Sequence, residues 1–405
     1  MSLLLKNLNF SLYWFAQSLS QLGNAFHLLA LPLWVYSLTG SPISTGAVTA
    51  AGLIPSLALS PIAGVLADRM NRKVLLIISD VVRAGLVLSL LLVKSSSHIW
   101  VVYVIAVGIG IMTTFFIPTQ TAMVQGTVKK SELTNANSLL QFSFSGALFL
   151  GPIIGGAVLQ RLGFEATFVL NATSFILGAL GSLVLKVPKT ELKPNSKSST
   201  FLAELKEGFN LSWESLPIRK TLMLQLFVFL GTGANAVLFV LHLQNAGASA
   251  QQIGMYMSAQ GLGMIVGSIF FPTVARKVTN IWDVTLVNLV IMGLAVSLFI
   301  LVVPTFIYIG MACIFVFGAV LTSFNIASRT LLQSVTPPVS MARVAGISRV
   351  IITGVMAVAT LIGSSLATLI GPRSVVAIGG FLIIIVGICF WIKREKPEII
   401  NLPQS

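Results

Sequence analysis

Asp80 and Arg83 stand three residues apart in a long apolar stretch, a spacing that puts both side chains on one face of a helix. Of the eleven acidic residues, Asp80 is the one well inside such a stretch; three arginines are, Arg83, Arg329 and Arg349. Arg83 lies roughly 15 Å along a helix from Lys73, and Arg349 roughly 13 Å from Ser340, which is near mid-depth in a bilayer. A charge at that depth is costly and turns toward a partner or toward water. Either Asp80 neutralises Arg83, or the two face a cavity; Asp80, with His27 and His242, is one of the three intramembrane groups able to carry a proton, and Asp80 with its neighbour Arg83 forms the proton-coupling candidate. Arg329 and Arg349 have no second buried acid to meet. They are candidates for an aqueous cavity, where the fixed guanidinium fork suits a carboxylate. Arg329 is nearer a helix end and also has the length to snorkel.

Uncharged polar residues form a second pattern. Gln17, Gln21, Asn24 and His27 recur at intervals of four, three and three on one helical stripe, and Asn235 and His242 repeat the arrangement two turns apart. These six are substrate-cavity candidates, with hydrogen-bonded packing as the alternative. No nucleophile–base pair, metal-ligand spacing or phosphate loop accompanies them, so an enzyme, a cofactor or a metal is not expected. Cys313 and Cys389 both sit in apolar stretches and read as small packing residues.

The elements that must carry these residues are membrane spans. The 405-residue chain is 56% hydrophobic and only 9% charged. Apolar runs near the length a ~30 Å hydrocarbon layer demands of a helix cover 10–38, 43–67, 74–93, 99–128, 137–160, 164–186, 218–244, 252–275, 284–303, 306–335, 341–370 and 374–392. The expected fold is therefore an all-α integral membrane protein of twelve transmembrane helices. A polar stretch, 188–217, interrupts the series with Pro188, Pro194, Pro217 and a Ser/Lys-rich middle. Within it, "TFLAELKEGFNLSW" spaces Phe201, Leu205, Phe209 and Leu211 for either a short surface helix or a connector.

The net charge of +14 has a topological reading. With the N-terminus inside, nineteen of the 25 Lys and Arg fall on inner loops and tails, and three, Lys94, Arg161 and Arg373, on outer ones. That bias puts both termini in the cytoplasm, by the positive-inside rule, and predicts contact with anionic inner-leaflet lipid. No basic helix or aromatic stacking platform stands clear of the membrane, which argues against nucleic acid as a partner.

The halves repeat at a constant offset of 208: Gly46 with Gly254, Arg69 with Lys277, Gln125 with Gln333, Gly155 with Gly363, Gly163 with Gly371. The chain accordingly divides into an N-terminal six-helix bundle, 1–187, a cytoplasmic linker, 188–217, and a C-terminal six-helix bundle with a short tail, 218–405. Parallel six-helix repeats about an axis along the membrane normal are the plan of a rocker-type secondary transporter.

"GVLADRMNRKVLL", 64–76, resembles the signature loop of the major facilitator superfamily, with Gly64, Asp68, Arg69, Arg72 and Lys73 in register and Asn71 where Gly is usual, a residue that also tolerates a left-handed turn. "GPIIGG", 151–156, resembles the fifth-helix motif of the exporter branches through Gly151, Pro152, Gly155 and Gly156. "SELTNANSL", 131–139, and "LLQSVTPPVSMARVAGI", 331–347, resemble the drug and macrolide efflux group that includes siderophore exporters; Ala342 stands where Gly is expected before Arg343. The resemblance implies a conformational gate formed by Gly64, Asp68, Arg69, Arg72 and Lys73 with Ser340 and Arg343, in which Asp68 accepts N–H groups at a helix start capped by Ser340. The helix-4 arginine usual in the family is missing from "VVYVIAVGIG", 101–110.

These readings converge on a monomeric, multi-pass protein of the cytoplasmic membrane. It is expected to be a proton-coupled secondary exporter of small amphipathic molecules, working by alternating access. The alternatives are an exporter of an anionic siderophore or metabolite, and an importer on the same fold.

Overall fold

The computed structural model describes residue 4 and residues 7–128, 132–185, 209–278, 280–303, 305–336 and 341–392, without the side chains at 61, 64–69, 122, 125, 126, 134, 276 and 342. All regular structure among these residues is helical. The long helices are α1 (Leu8–Thr39), α2 (Pro42–Arg69), α3 (Arg72–Ser89), α4 (Ile99–Thr127), α5 (Leu133–Val184), α6 (Leu216–Thr232), α7 (Asn235–Asn245), α8 (Ala250–Lys277), α9 (Ile281–Val302), α10 (Ile307–Val335) and α11 (Met341–Ile392). Among the described residues, nine helices or joined helices are long and apolar enough to cross a membrane.

Helix starts and stops follow local chemistry. Asparagine side chains cap three N-termini: Asn7 accepts from the Phe10 amide at 3.0 Å, Asn71 from Lys73 at 3.1 Å, and Asn280 from Trp282 at 2.9 Å. Asn71 is a correction to the sequence reading. Its φ is −65°, so it stands in the signature loop as an extended N-cap and not as a left-handed turn residue. Gly40 ends α1 with φ 61° and donates its amide to the Tyr36 carbonyl.

Two helices contain a break that only glycine tolerates. In α5, Gly163 has φ 78° and ψ −177°; in α11, Gly371 has φ 80° and ψ 153°. Each 52-residue helix is therefore two helical segments meeting at a glycine, and the two breaks stand at the repeat offset.

The chain forms two compact units: Met1–Lys197 with Ser249–Ser258, and Ser198–Ala248 with Ala259–Ser405. In the first, α1 packs along α5, α2 pairs with α4, and α3 lies against α4 and α5. In the second, α9 packs on α10 and α11, and α11 also packs on α6 and α7. An apolar cluster in the first unit holds Phe10, Val124 and Ala136, with Leu139 at its edge; a cluster in the second holds Ile218, Leu332, Val344 and Ile347. Those four pairs are again separated by 208. The repeat thus extends from the sequence to which residues make the core of each unit.

The outer faces are apolar, as hydrocarbon requires. Leu92, Leu369 and Ile392 are largely exposed. Exposed Trp and Tyr side chains stand at helix ends: Trp100 opens α4, Tyr308 opens α10, and Trp391 closes α11. That placement is an interfacial aromatic belt. Within the linker, 188–208 lies outside the described residues, while 209–214 is helical, with the Phe209 and Trp213 rings stacked at 5.9 Å and Arg219 5.6 Å from the Trp213 ring centre.

Gly163→Ala or Gly371→Ala should each introduce ~1–3 kcal/mol of backbone strain. The melting temperature of the detergent-solubilised protein should fall by roughly 2–4 °C per kcal/mol. Gly146→Ala, at a helical position with open space around it, should melt like the parent. Equal melting of all three variants would rule out the glycine breaks.

Candidate functional site

The centre of the first unit is an ion pair. Asp80 is fully buried and Arg83 nearly so, and the Arg83 Nη2 donates to Asp80 Oδ1 at 2.5 Å. Arg83 Nε also donates to the Ser79 carbonyl at 3.2 Å. The guanidinium is sandwiched between Phe116 of α4 and Phe175 of α5, its Cζ 4.3 and 4.5 Å from the ring centres. Two aromatic faces and a carboxylate thus stand in for water around the cation. The small residue at 178 makes room for the anion: a Cβ on Gly178 would lie 3.1 Å from Asp80 Oδ2 and 3.5 Å from Gln17 Nε2. Gln17 is itself buried and donates to the Gly178 carbonyl at 3.5 Å. The sequence spacing located the pair; the cage of Phe116, Phe175, Gly178 and Gln17 came from three other helices and was not visible in it.

The polar stripe of α1 divides at this point. Gln17 belongs to the buried core of the unit, while Gln21, Asn24 and His27 are half-buried. The His27 ring tilts against Phe168 at 6.1 Å, and its Nδ1 is buried without a hydrogen-bond partner among the described residues.

The glycines of "GPIIGG" are places of close approach. All of Gly151, Pro152, Gly155 and Gly156 are buried in α5. A Cβ on Gly151 would strike the Ala25 side chain, and one on Gly155 would lie 3.2 Å from the Phe26 Cα, so α1 rests directly on this stretch. On the other side, within the same compact unit, a Cβ on Gly156 would lie 2.6 Å from the Ala250 carbonyl oxygen, and one on Gly254 would collide with the Pro152 carbonyl. Gln160 Oε1 accepts the Gln251 amide at 3.3 Å and closes the contact.

Of the gate residues, Gly64, Asp68 and Arg69 lie in the last turns of α2, where side chains are outside the description. Arg72 and Lys73 are half-buried in the first turn of α3. Ser340 lies outside the described residues; Arg343 is half-buried in the first turn of α11.

The second unit carries its own polar features. Its first membrane-length stretch is broken between α6 and α7, and the Thr360 hydroxyl, with one proton to donate, lies 2.9 Å from the Gly233 carbonyl at the break and 2.7 Å from the Met356 carbonyl of its own helix. Asn235 starts the segment after the break. Asn235 and His242 are both buried, Asn235 Nδ2 and His242 Nε2 lack hydrogen-bond partners among the described residues, and the His242 ring meets Phe299 edge-on at 6.0 Å. Closer to the start of α6, Gln225 is buried and makes two side-chain bonds. Its Nε2 lies 3.4 Å from the Ser328 hydroxyl of α10, and its Oε1 accepts from Ser348 of α11 at 2.7 Å. The signal for this node was the repeat: Gln225 is Gln17 plus 208. Arg329 and Arg349 are exposed, and neither has a carboxylate partner among the described residues.

A bundle of membrane-length helices holding a caged ion pair and paired polar nodes has the make-up of a polytopic membrane transporter. The chain belongs to the Major Facilitator Superfamily, whose sequence profile matches residues 13–241 and 221–405. It is 21% identical over 384 residues to macrolide efflux protein A of Streptococcus pyogenes, covering 94% of this chain and 95% of the relative. It is 25% identical over 366 residues to the enterobactin exporter EntS of Salmonella typhimurium, covering 89% and 86%. Its fold matches the crystal structure of a point mutant of the nucleoside transporter NupG with a TM-score of 0.83 at 14% identity, over 96% of this chain and 100% of the other. With its many apolar helices, the chain is a multi-pass protein of the bacterial cytoplasmic membrane.

Arg83→Leu should strand a buried carboxylate and destabilise the protein by ~3–5 kcal/mol, whereas Asp80→Asn combined with Arg83→Leu removes both charges and should recover most of the loss. Thermal unfolding of the purified variants in detergent checks this. A double variant no more stable than Arg83→Leu would mean that the two charges do not compensate each other.

Proposed function

We propose that this protein is a secondary active exporter of small amphipathic molecules, working by alternating access and driven by protons. Twelve spans, both termini in the cytoplasm, and two bundles at 1–187 and 218–405 joined by the linker 188–217 belong to the same reading. So do the gate at Gly64, Asp68, Arg69, Arg72, Lys73, Ser340 and Arg343, contact with membrane lipid, and action as a monomer.

The observation that carries the export direction is the packing of "GPIIGG". Every glycine in it sits where a Cβ would meet a neighbouring helix, so the stretch that resembles the exporter branches is under a real steric demand in this chain. The names of the relatives agree: one is a macrolide efflux protein and one an enterobactin exporter. Substrate contact falls to Gln21, Asn24, His27, Asn235 and His242 with Arg329 and Arg349, and Gln17 acts from behind as a packing residue of this set.

Asp80 is the proton site of the reading, because it is the carboxylate placed in mid-span among the described residues and its one charged partner there is Arg83. Protonation would release the guanidinium from its anion and change how α3 is held against α4 and α5. A second reading, export of an anionic siderophore or metabolite, is favoured by Arg329 on α10 and Arg349 on α11, which meet no carboxylate among the described residues.

In cells expressing the protein, accumulation of a labelled macrolide should fall, and a protonophore should restore it. The Asp80→Asn, Arg83→Leu double variant should let substrate equilibrate across proteoliposomes but should not concentrate it against a gradient. Concentrative transport by that variant, still abolished by the protonophore, would remove Asp80 from the coupling. Unchanged accumulation of macrolides, and unchanged growth under iron limitation, would argue against export of either substrate class.

A further inference from the structure

Two guanidinium groups in the second unit are left without anions among the described residues, and one buried amide sets the depth of both. Ser328 and Ser348, on two different helices, are each bonded to the Gln225 side chain. Each serine is followed immediately by an exposed arginine, Arg329 on α10 and Arg349 on α11. Gln225 therefore locks the register of α10 and α11 against α6, and in doing so it brings both arginines to one level in the membrane.

The face that carries Arg329 is polar, and the one that carries Arg349 is mixed, with Val350 exposed beside it. On α10, Thr322, Asn325 and Arg329 follow at three and four residues, one polar stripe, and Asn325 is exposed. On α11, Thr353 stands one turn beyond Arg349, and Gly346, three residues before it, is exposed with open space where a Cβ would be. Arg329 is roughly 9 Å from the end of α10 and Arg349 roughly 12 Å from the start of α11. A guanidinium at that depth cannot shed its proton and pays heavily in hydrocarbon. The mid-span carboxylate among the described residues, Asp80, is already bound to Arg83 in the other unit.

We propose that Arg329 and Arg349 form a two-guanidinium site for the carboxylate of an amphipathic solute, and that Gln225 is its positioning residue. The proposal rests on the transporter reading above and narrows its substrate class to organic acids. Two planar forks at one depth can share a carboxylate through charge-assisted hydrogen bonds, which a single snorkelling arginine cannot do. Ser328 and Ser348 have no direct part in binding; they transmit the register.

The test uses the full-length protein in nanodiscs, with dansyl-phenylalanine and its methyl ester as probes, read by fluorescence titration and then by transport in proteoliposomes. The parent should bind the acid at least tenfold more tightly than the ester. Arg329→Ala and Arg349→Ala should each weaken acid binding and leave ester binding within twofold. Gln225→Leu should close the gap between acid and ester. Should that variant fail to fold, Ser328→Ala with Ser348→Ala removes the same bonds from the other side and should also close it. Equal affinity for acid and ester in the parent overturns the site. Equal loss of both probes in the Gln225 and serine variants makes the node merely structural and overturns the positioning role. Nanodiscs of phosphatidylcholine alone and with phosphatidylglycerol separate the other source of anions: if the arginine variants change only the response to phosphatidylglycerol, the arginines hold a lipid headgroup and the proposal fails. An intact acid–ester gap with no transport of either probe would leave the site standing and count against the export reading instead.

Discussion

The structure of the first unit depends on keeping one charged pair out of contact with hydrocarbon. Neither Asp80 nor Arg83 is tolerable alone at that depth, and each is the main solvent of the other. Their mutual bond accounts for one carboxylate oxygen and part of one guanidinium. Groups from other helices complete the surroundings: the faces of Phe116 and Phe175 cover the cation, and the glycine at 178 lets the anion and the Gln17 amide approach α5, while Asp80 Oδ2 has no hydrogen-bond partner among the described residues. Four helices are thereby tied to one point. Any motion of this unit that keeps the pair bound must move α1, α3, α4 and α5 together, which is how a rigid body in a rocking transporter behaves.

The second unit solves the same packing problem without charge. At the repeat offset, Gln17 corresponds to Gln225, Phe116 to Phe324 and Asp80 to Asn288, all of them buried. The amide at 225 reaches two serine hydroxyls where the amide at 17 meets a backbone carbonyl and sits beside a carboxylate. A neutral node has nothing to titrate, so of the two buried residues at this offset, Asp80 and Asn288, only the one in the first unit could serve as the proton site proposed above. Arg329 and Arg349 of the second unit have no carboxylate partner among the described residues.

Much of this was legible from residue types alone. The Asp80–Arg83 pairing followed from spacing and cost, the interruptions at 160–164 and 370–374 from the ends of the apolar runs, and the membrane class from composition. What stayed hidden has a common cause. In a soluble helix the polar face marks the outside, but in a membrane bundle the lipid-facing and core-facing sides are both apolar, so periodicity does not separate them. That is why Gln17 read as one member of a stripe with Gln21, Asn24 and His27, although it is the only one of the four fully in the core. The phenyl cage was illegible for the same reason, since Phe116 and Phe175 look like any other apolar residue until the helices are assembled. Asn71 was misread because a loop position usually filled by glycine invites a left-handed reading, whereas the chain uses the asparagine side chain as a helix cap.

The central claim is outward transport through a membrane-embedded pathway, and direction is its most exposed part. Membrane vesicles prepared right-side-out and everted from the same cells, energised by respiration, separate the two directions when both are offered a labelled amphipathic acid. The account predicts protein-dependent concentration of the label inside everted vesicles, where uptake corresponds to export, and none inside right-side-out vesicles. Protein-dependent accumulation in the right-side-out preparation, with none in the everted one, would contradict it and make the protein an importer on the same fold.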